Sequence, residues 1–325
     1  MASTSVENSR TQSILGQTIL PEQSKHRIAL FDAFTDKTLG GSVAAMVDDA
    51  SELETDQMQR IAKEFGAPAT CFITVASADA VTVRFFSTMT EYPMCGHGTI
   101  GLMTWLADRD IIPCTENQTS TISLSTPAGS ADVEVRRRVN GRVEVMLTLA
   151  EAPFEKSPVD ALTLASCLGI DVGGFADALP IELSRSDFIH LMVPIRDLAT
   201  MQAMAPDFGA ITSLCHAHGI GTISLISVET VHPESTIHCR EFAPALGTPE
   251  APASGTTNRA NACFLLRHGL INATVDGMHV IIAEQGYEMG RPSEVRSELT
   301  LKNGILTKVR VGGIATKSIE GHLYL

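Results

Sequence analysis

The spacing of apolar residues along the chain predicts a mixture of strands and helices. Apolar and polar positions alternate in IALFDAFTD (28–36), which is the pattern of a half-buried strand. From Glu54 to Phe65 the apolar positions recur every three or four residues, which predicts a helix with one buried face. TCFITVA (70–76) and VTVRFFS (81–87) predict two further strands, and a second helix is predicted from Thr99 to Asp108.

The second half of the chain repeats this order of elements. A helical pattern in residues 201–220 is followed by a predicted strand, GTISLISVE, and by STIHCREFA, which precedes a helix that begins near Gly255. Aligning the halves places Arg84 against Arg240 and Cys95 against Ser254, at offsets of 156 and 159 residues. Because order and spacing agree, we predict an internal duplication, with two lobes facing one another across a cleft where two buried helices begin.

Composition narrows the class of protein. A hydrophobic content of 44% in 325 residues is enough for a large core, and a net charge of -13 disfavours binding to nucleic acid or to anionic membranes. A small molecule is therefore the expected partner. Seven cysteines without a CxxC pair predict reduced thiols in the cytoplasm, and no apolar run is long enough to predict a membrane span.

The predicted organisation has three parts. Residues 1–24, which open with the polar MASTSVENSR, are predicted to be a mobile leader without the apolar core of a signal peptide. Residues 25–150 are predicted to form the N-terminal lobe and residues 151–325 the C-terminal lobe. Return of the last strands to the N-terminal lobe is an open alternative.

The loop and helix start in EYPMCGHGTIG (91–101) carry the strongest chemical signal. Gly96 and Gly98 allow the backbone to approach other groups closely where the helix begins. Unpaired N–H groups and the helix dipole favour anions there, so we expect the Cys95 thiol to have its pKa lowered toward neutrality. His97 titrates near neutrality and is the expected proton partner. A packing role for Cys95 and a loop-capping role for His97 are the alternatives.

The second helix start, in PEAPASGTT, is rich in hydroxyl groups. Ser254 and Thr256 are common N-cap residues, so capping and contact with a substrate carboxylate are both open. Pairing with carboxylates is favoured over a substrate role for Arg84 and Arg240, and the scattered cysteines and histidines predict no metal site. The predicted substrate-binding residues are Glu91, Gly96, Gly98, Thr99, Ser254, Gly255, Thr256 and Thr257.

Six segments together resemble the phenazine biosynthesis protein (PhzF-like) family. They are DAFTDKTLGGSVAAMVDDA, MQRIAKEF, RFFSTMTEYPMCGHGTIG, PASGT, EQGYEMGRPS and VRVGG, in order from about Ile28 to Gly313. The resemblance implies the α+β fold of diaminopimelate epimerase, in which two pseudo-symmetric lobes each wrap a curved sheet around a central helix. It also implies an active site between the lobes, a homodimer, and proton transfer at carbon without a cofactor. MCGHG is closer to the first catalytic motif of the proline racemases and hydroxyproline dehydratases of that fold.

The sequence departs from this family at its acids. The family's principal Glu corresponds to Ala69 and its second-half Asp to Ala251, so the usual proton relay cannot operate unchanged. The two-cysteine racemases place one cysteine in each lobe, whereas this chain has Cys95 and Ser254. We expect Cys95 or His97 to be the base, and Glu250 is the candidate to replace the missing acid.

Three functions follow from these residues. The leading prediction is a cofactor-independent isomerase that relocates a proton on a small carbonyl- or carboxylate-bearing metabolite. The second is elimination, such as dehydration, by a single cysteine or histidine base. The third, favoured by the two alanines at acid positions, is a small-molecule-binding protein without activity.

Overall fold

A computed structural model gives the architecture of residues 24–116, 118–185, 188–272 and 274–325. Of the predicted leader, residues 1–23 lie outside this described part of the chain. The first half contributes eight strands, two α-helices and a short 3-10 helix. They are β1 (Lys25–Ala33), β2 (Ser42–Val47), the 3-10 helix Ala50–Glu52, α1 (Thr55–Phe65), β3 (Ala69–Ala76), β4 (Ala80–Phe86), β5 (Glu91–Tyr92), α2 (Gly96–Asp108), β6 (Ser120–Thr126), β7 (Gly129–Arg137) and β8 (Val143–Leu149).

The second half contributes nine strands, four α-helices and two 3-10 helices. They are β9 (Phe154–Lys156), α3 (Ala161–Leu168), the 3-10 helix Val172–Gly174, β10 (Glu182–Arg185), β11 (Ile189–Pro194), α4 (Leu198–Ala203), α5 (Phe208–His218), β12 (Thr222–Ser227), β13 (Ile237–Ala243), the 3-10 helix Pro244–Leu246, β14 (Thr248–Glu250), α6 (Gly255–Arg267), β15 (Gly277–Gln285), β16 (Ser293–Lys302) and β17 (Ile305–Tyr324). None of the helices in the described residues has the length and apolar character needed to cross a membrane.

The strands of the first half close into a ring around α2. Following the hydrogen-bonded neighbours, the ring runs β17, β1, β2, β3, β4, β6, β7, β8 and back to β17. Every residue of α2 from 98 to 107 is buried inside it. A helix that is apolar on all sides needs such an enclosure, because it has no face suited to water. The Gly98 position is tightly packed, since an added Cβ would lie 3.0 Å from Cys71 Sγ and would require its neighbours to shift.

The second half repeats the same pairing scheme. In the first half β1 and β2 are antiparallel, β2 and β3 parallel, β3 and β4 antiparallel, and β4 and β6 parallel. Strands β10, β11, β12, β13 and β15 show the same sequence of orientations. Helix α6 follows β14 as α2 follows β5. The predicted α+β fold of two pseudo-symmetric lobes is therefore confirmed.

Strand β17 joins the two lobes. Its residues Val309–Gly312 pair with β16 on one side and with β8 on the other, and residues 315–324 continue alongside β1. Helices α2 and α6 both pack on this strand and contact one another. One continuous strand therefore positions both central helices.

The first prediction concerns Gly312 on β17. An alanine Cβ at this position would lie 1.9 Å from the Val145 carbonyl oxygen of β8. We expect Gly312→Ala to destabilise the protein by about 3 kcal/mol, because backbone must move to relieve the overlap. Gly321→Ala on the same strand is the control, since an added Cβ there meets no atom within 4 Å. Thermal unfolding of both variants measures the effect, and equal midpoints would contradict it.

Candidate active site

Cys95 and His97 lie together in the first turn of α2. Cys95 is the N-cap residue in an extended conformation, and its Sγ lies 3.4 Å from His97 Nδ1. Thr99 fixes this turn, because its Oγ1 donates to the Cys95 carbonyl oxygen at 2.8 Å. The thiol is buried, with 6% of the residue exposed, while His97 is half-buried. The two side chains thus form a pair in which a proton can be shared.

The expected lowering of the Cys95 pKa is wrong. Burial raises the pKa of Cys95 to about 12, and the backbone N–H groups of His97 and Gly98, which lower it, offset only part of this. Burial also lowers the pKa of His97 to about 4, although part of that residue remains accessible. Both shifts have the same cause, since removal from water disfavours whichever form is charged. Near neutral pH the pair is therefore a thiol and an uncharged imidazole.

Ser254 occupies the corresponding position at the start of α6. It has nearly the same backbone conformation as Cys95, and its Oγ accepts a hydrogen bond from the Thr257 backbone N–H at 3.4 Å. Ser254, Gly255 and Thr256 are half-buried, whereas Thr257 is buried. The capping explanation for Ser254 is confirmed, and its partial exposure also leaves its hydroxyl open to a ligand.

Two arginine–glutamate pairs repeat between the lobes. Arg84 donates to both carboxylate oxygens of Glu91 at 2.7 and 2.8 Å, and Arg240 does the same to Glu250 at 2.8 and 2.9 Å. Each guanidinium also lies over a phenylalanine ring two residues further along its strand, at 5.2 Å and 4.9 Å from the centroid. The prediction that these arginines pair with carboxylates is confirmed.

This pairing changes the roles assigned to Glu91 and Glu250. Both Glu250 oxygens accept hydrogen bonds from Arg240, so the Glu250 side chain is occupied in holding β14 to β13. The geometry therefore does not support Glu250 as the replacement acid. Glu91 is held in the same way and anchors β5 to β4, so its predicted substrate contact also lacks support.

The positions of the missing family acids hold no substitute carboxyl. Ala69 is fully buried at the start of β3, opposite Ala44 of β2. Ala251 is half-buried and contributes only backbone, with its carbonyl oxygen accepting from Gln285 Nε2 at 2.8 Å.

Sequence reasoning missed Glu241, a buried carboxyl beside the α6 start. It lies on β13, is 4% exposed, and accepts a hydrogen bond from Thr257 Oγ1 at 2.7 Å. Burial raises the pKa of Glu241, and the hydrogen bond from Thr257 together with the nearby polar side chains of Ser254 and Gln285 offsets this in part. A signal was available in the aligned halves, since Glu241 falls opposite Phe85 and replaces a buried phenyl ring with an acid.

An open cavity of about 560 Å³ lies beside the start of α6, since Phe34 in its lining is 3.7 Å from the position of a Cβ added at Gly255. Its lining includes Phe34, Arg142, His232, Tyr287 and Gly313, and none of the predicted catalytic residues. The described residues also contain no group of three or more His, Cys, Asp or Glu side chains placed to hold a metal ion. The two helix starts are therefore the candidate active site, because a titratable pair and accessible hydroxyl groups are present there.

Two lobes on one plan, each enclosing a helix whose first turn carries a thiol or a hydroxyl, define the class of diaminopimelate-epimerase-like proteins. Solved structures agree with this class. The Bacillus anthracis phenazine biosynthesis protein of the PhzF family superposes with a TM-score of 0.82 at 24% identity, covering 93% of this chain and 100% of that one. A hydroxyproline epimerase from Agrobacterium vitis has a TM-score of 0.57 at 12% identity, covering 93% of each chain, and supports the fold alone.

The family model for phenazine biosynthesis-like proteins matches residues 31–321. The chain belongs to this family. Among its relatives, an uncharacterised isomerase of Bacillus subtilis, YfhB, is 29% identical over 289 residues, or 89% of this chain and 95% of that protein. The trans-2,3-dihydro-3-hydroxyanthranilate isomerase of Pseudomonas chlororaphis is 29% identical over 290 residues, with the same coverage. The chain is thus an enzyme of the isomerase type.

The second prediction concerns the reactivity of Cys95. Because its pKa is raised to about 12 and its thiol is buried, we expect iodoacetamide to alkylate it slowly at pH 7 and faster as pH rises. Half-buried Cys114 serves as the internal reference, and peptide mass spectrometry gives the rate at each cysteine. In denaturant all seven cysteines should react. Fast alkylation of Cys95 with a midpoint near pH 7 would contradict the assignment of a neutral thiol.

The third prediction compares the two arginine–glutamate pairs. The Arg240 and Glu250 side chains are 7% and 11% exposed, against 25% and 29% for Arg84 and Glu91. Removing one partner of a buried pair costs far more than removing one of a solvated pair. We expect Glu250→Gln to lower the free energy of unfolding by about 3 kcal/mol and Glu91→Gln by about 1 kcal/mol. Urea unfolding measures both, and equal losses would count against a structural role specific to the buried pair.

Proposed function

We propose that this protein is a cofactor-independent isomerase that relocates a proton on a small metabolite whose C–H bond is acidified by a carbonyl or carboxylate group. The contact of Cys95 Sγ with His97 Nδ1 at 3.4 Å carries the proposal, because it places a proton-transfer pair at a helix start. Isomerase names among relatives that cover nearly the whole chain support the reaction type.

His97 is the base in this proposal. With its hydrogen on Nδ1, the ring nitrogen nearer to Cys95 Sγ at 3.4 Å against 3.7 Å for Nε2, the neutral ring donates to the sulfur. The Nε2 lone pair then takes the substrate proton. Breaking the substrate C–H bond then gives an N–H bond at Nε2 and an enolate or equivalent carbanion. Cys95 acts as a positioning residue that fixes the tautomer, as expected for a thiol that is buried and uncharged near pH 7.

The two helix starts supply the stabilisation that the carbanion needs. First-turn backbone N–H groups and the positive ends of the α2 and α6 dipoles favour negative charge on the substrate. In an enclosed site these dipoles act more strongly than in water and are already oriented. The half-buried hydroxyl group of Thr256 is an accessible donor for a substrate carboxylate.

The fourth prediction tests the base. Incubation in D₂O with trans-2,3-dihydro-3-hydroxyanthranilate, the compound named for the Pseudomonas chlororaphis relative, and with a panel of α-amino acids should show deuterium entering at carbon. We expect His97→Asn to slow exchange by about 100-fold or more, because it removes the proton acceptor. We expect Cys95→Ala to slow exchange strongly and Cys95→Ser to slow it less, because the serine hydroxyl can still accept the hydrogen bond from His97 Nδ1. Cys114→Ala is the control.

The outcomes of this experiment distinguish the candidate bases and the alternative functions. If the exchange rate falls equally in Cys95→Ser and Cys95→Ala, the thiol itself is the base. If the substrate loses water and is not isomerised with deuterium exchange, the result would favour elimination. Binding of these compounds, seen as a raised unfolding midpoint, without exchange or conversion would favour the binding protein without activity.

A further inference from the structure

The interiors of the two lobes differ in polarity, although their backbones correspond. Helix α2 is surrounded by apolar side chains, whereas α6 carries four buried polar residues, Thr257, Asn258, Arg259 and Asn261. At equivalent points, Gly98 of α2 lies against the Phe85 ring and Thr257 of α6 bonds to the Glu241 carboxyl. The second lobe therefore has a carboxyl–hydroxyl contact where the first has a glycine–phenyl contact.

A continuous chain of hydrogen bonds leads from the accessible end of α6 to this carboxyl. Ser254 Oγ donates to Thr257 Oγ1 at 3.1 Å, and Thr257 Oγ1 donates to Glu241 Oε1 at 2.7 Å. Each hydroxyl both donates and accepts, so the direction of the chain reverses by rotation of the O–H bonds. Ser254 is half-buried and Glu241 is buried, so the chain runs from the candidate cleft into the lobe.

Building on the function proposed above, we propose that Ser254, Thr257 and Glu241 form the proton relay of the second lobe and stand in for the acids absent at Ala69 and Ala251. Ser254 is the group that meets the substrate. Thr257 and Glu241 act through it, with Glu241 holding the proton.

The proton balance is complete. In the delivering direction the Glu241 O–H bond breaks as one forms at Thr257, Thr257 passes its hydrogen to Ser254, and Ser254 passes its hydrogen to the substrate carbon. Glu241 becomes a carboxylate, while His97 holds the proton taken from the other carbon position or the other face. His97 then releases one proton to water and Glu241 takes one from water, which restores both groups.

The surroundings of Glu241 suit this role. His190 on β11 is buried and, because burial lowers its pKa to about 3 with help from Arg259 on α6, it is uncharged. Cys239 on β13 is also buried, and burial raises its pKa. Within the described residues, Glu241 Oε2 makes no hydrogen bond of good geometry. A carboxylate in this setting lacks a full set of donors, which favours the protonated acid.

The fifth prediction separates the relay from the base. With the compound that exchanges hydrogen in the preceding assay, Glu241→Gln and Thr257→Val should retain deuterium exchange at the carbon served by His97 but lose about 100-fold in conversion to isomer. Glu241→Asp should recover part of the conversion. Ser224→Ala is the matched control, because it removes another buried hydroxyl of this lobe, bonded to Asn261 Oδ1 at 2.7 Å, outside the relay.

Different results would overturn the proposed isomerase function and the proposed relay. If the wild-type protein exchanges no substrate hydrogen, the proposed function fails. If it converts substrate and Glu241→Gln and Thr257→Val convert at the same rate, the relay alone is overturned. The wild-type rate of delivery should fall as pH rises through the Glu241 pKa, and this limb should be absent in Glu241→Gln, which a purely structural role would not produce.

A measurement without substrate tests the carboxyl directly. At pH values where a solvent-exposed glutamic acid is ionised, wild-type protein should show the infrared band of a protonated carboxyl. This band should disappear in Glu241→Gln and shift in Thr257→Val. Because the folded state holds this proton more tightly than the unfolded chain, the stability it contributes is complete below about pH 4.3 and is lost as pH rises through the folded pKa. The unfolding midpoint of Glu241→Gln should therefore rise relative to wild type as pH rises. Absence of both effects would overturn the relay.

Discussion

Strand β17 carries hydrogen bonds to strands of both lobes, and both central helices pack on it. This sharing constrains everything that the site does, because a shift of β17 moves the starts of α2 and α6 together. Its crossing with β8 leaves no space for a side chain at Gly312. The enclosure of each helix by curved sheet then buries part of its first turn, and the resulting loss of hydration shifts the pKa values of the groups found there.

The two lobes share the same backbone plan but carry different chemical groups at their helix starts. The arginine–glutamate pairs and the phenylalanine beneath each arginine occur in both lobes, so they belong to the shared scaffold. At the helix starts the lobes diverge, with Cys95 and His97 in one and Ser254 and Thr257 in the other. A symmetric arrangement of two thiols is absent, and the asymmetry is suited to a reaction in which one lobe removes a proton and the other returns it.

Local, repeated signals in the sequence predicted two similar lobes, and the resemblance of six segments to the PhzF-like family implied the fold of diaminopimelate epimerase. Apolar periodicity located α1 to within one residue of its observed start at Thr55, and the glycine-flanked motif located the start of α6 at Gly255. Helix α2 begins at Gly96, three residues before the predicted start at Thr99. The site was predictable only where residue type and helix position decide the outcome. The direction of the Cys95 pKa shift was wrong because it depends on two opposed quantities, the helix dipole and the loss of hydration, and the depth of burial is set by distant strands. Glu241 was missed because the segment STIHCREFA, taken without the aligned first half, does not indicate which face of β13 packs on α6.

Burial gives the three titratable groups of the proposed reaction a common property. It raises the pKa of Cys95 and Glu241 and lowers that of His97, so each is driven toward its uncharged form. An anionic substrate is then not repelled by these three side chains, and the dipoles of α2 and α6 attract it at short range. Charge separates only when substrate is present, as imidazolium on one side and substrate anion on the other, and their attraction in a poorly hydrated site lowers the cost of forming both. A base that is weak in the free protein therefore gains strength from the anion that it creates.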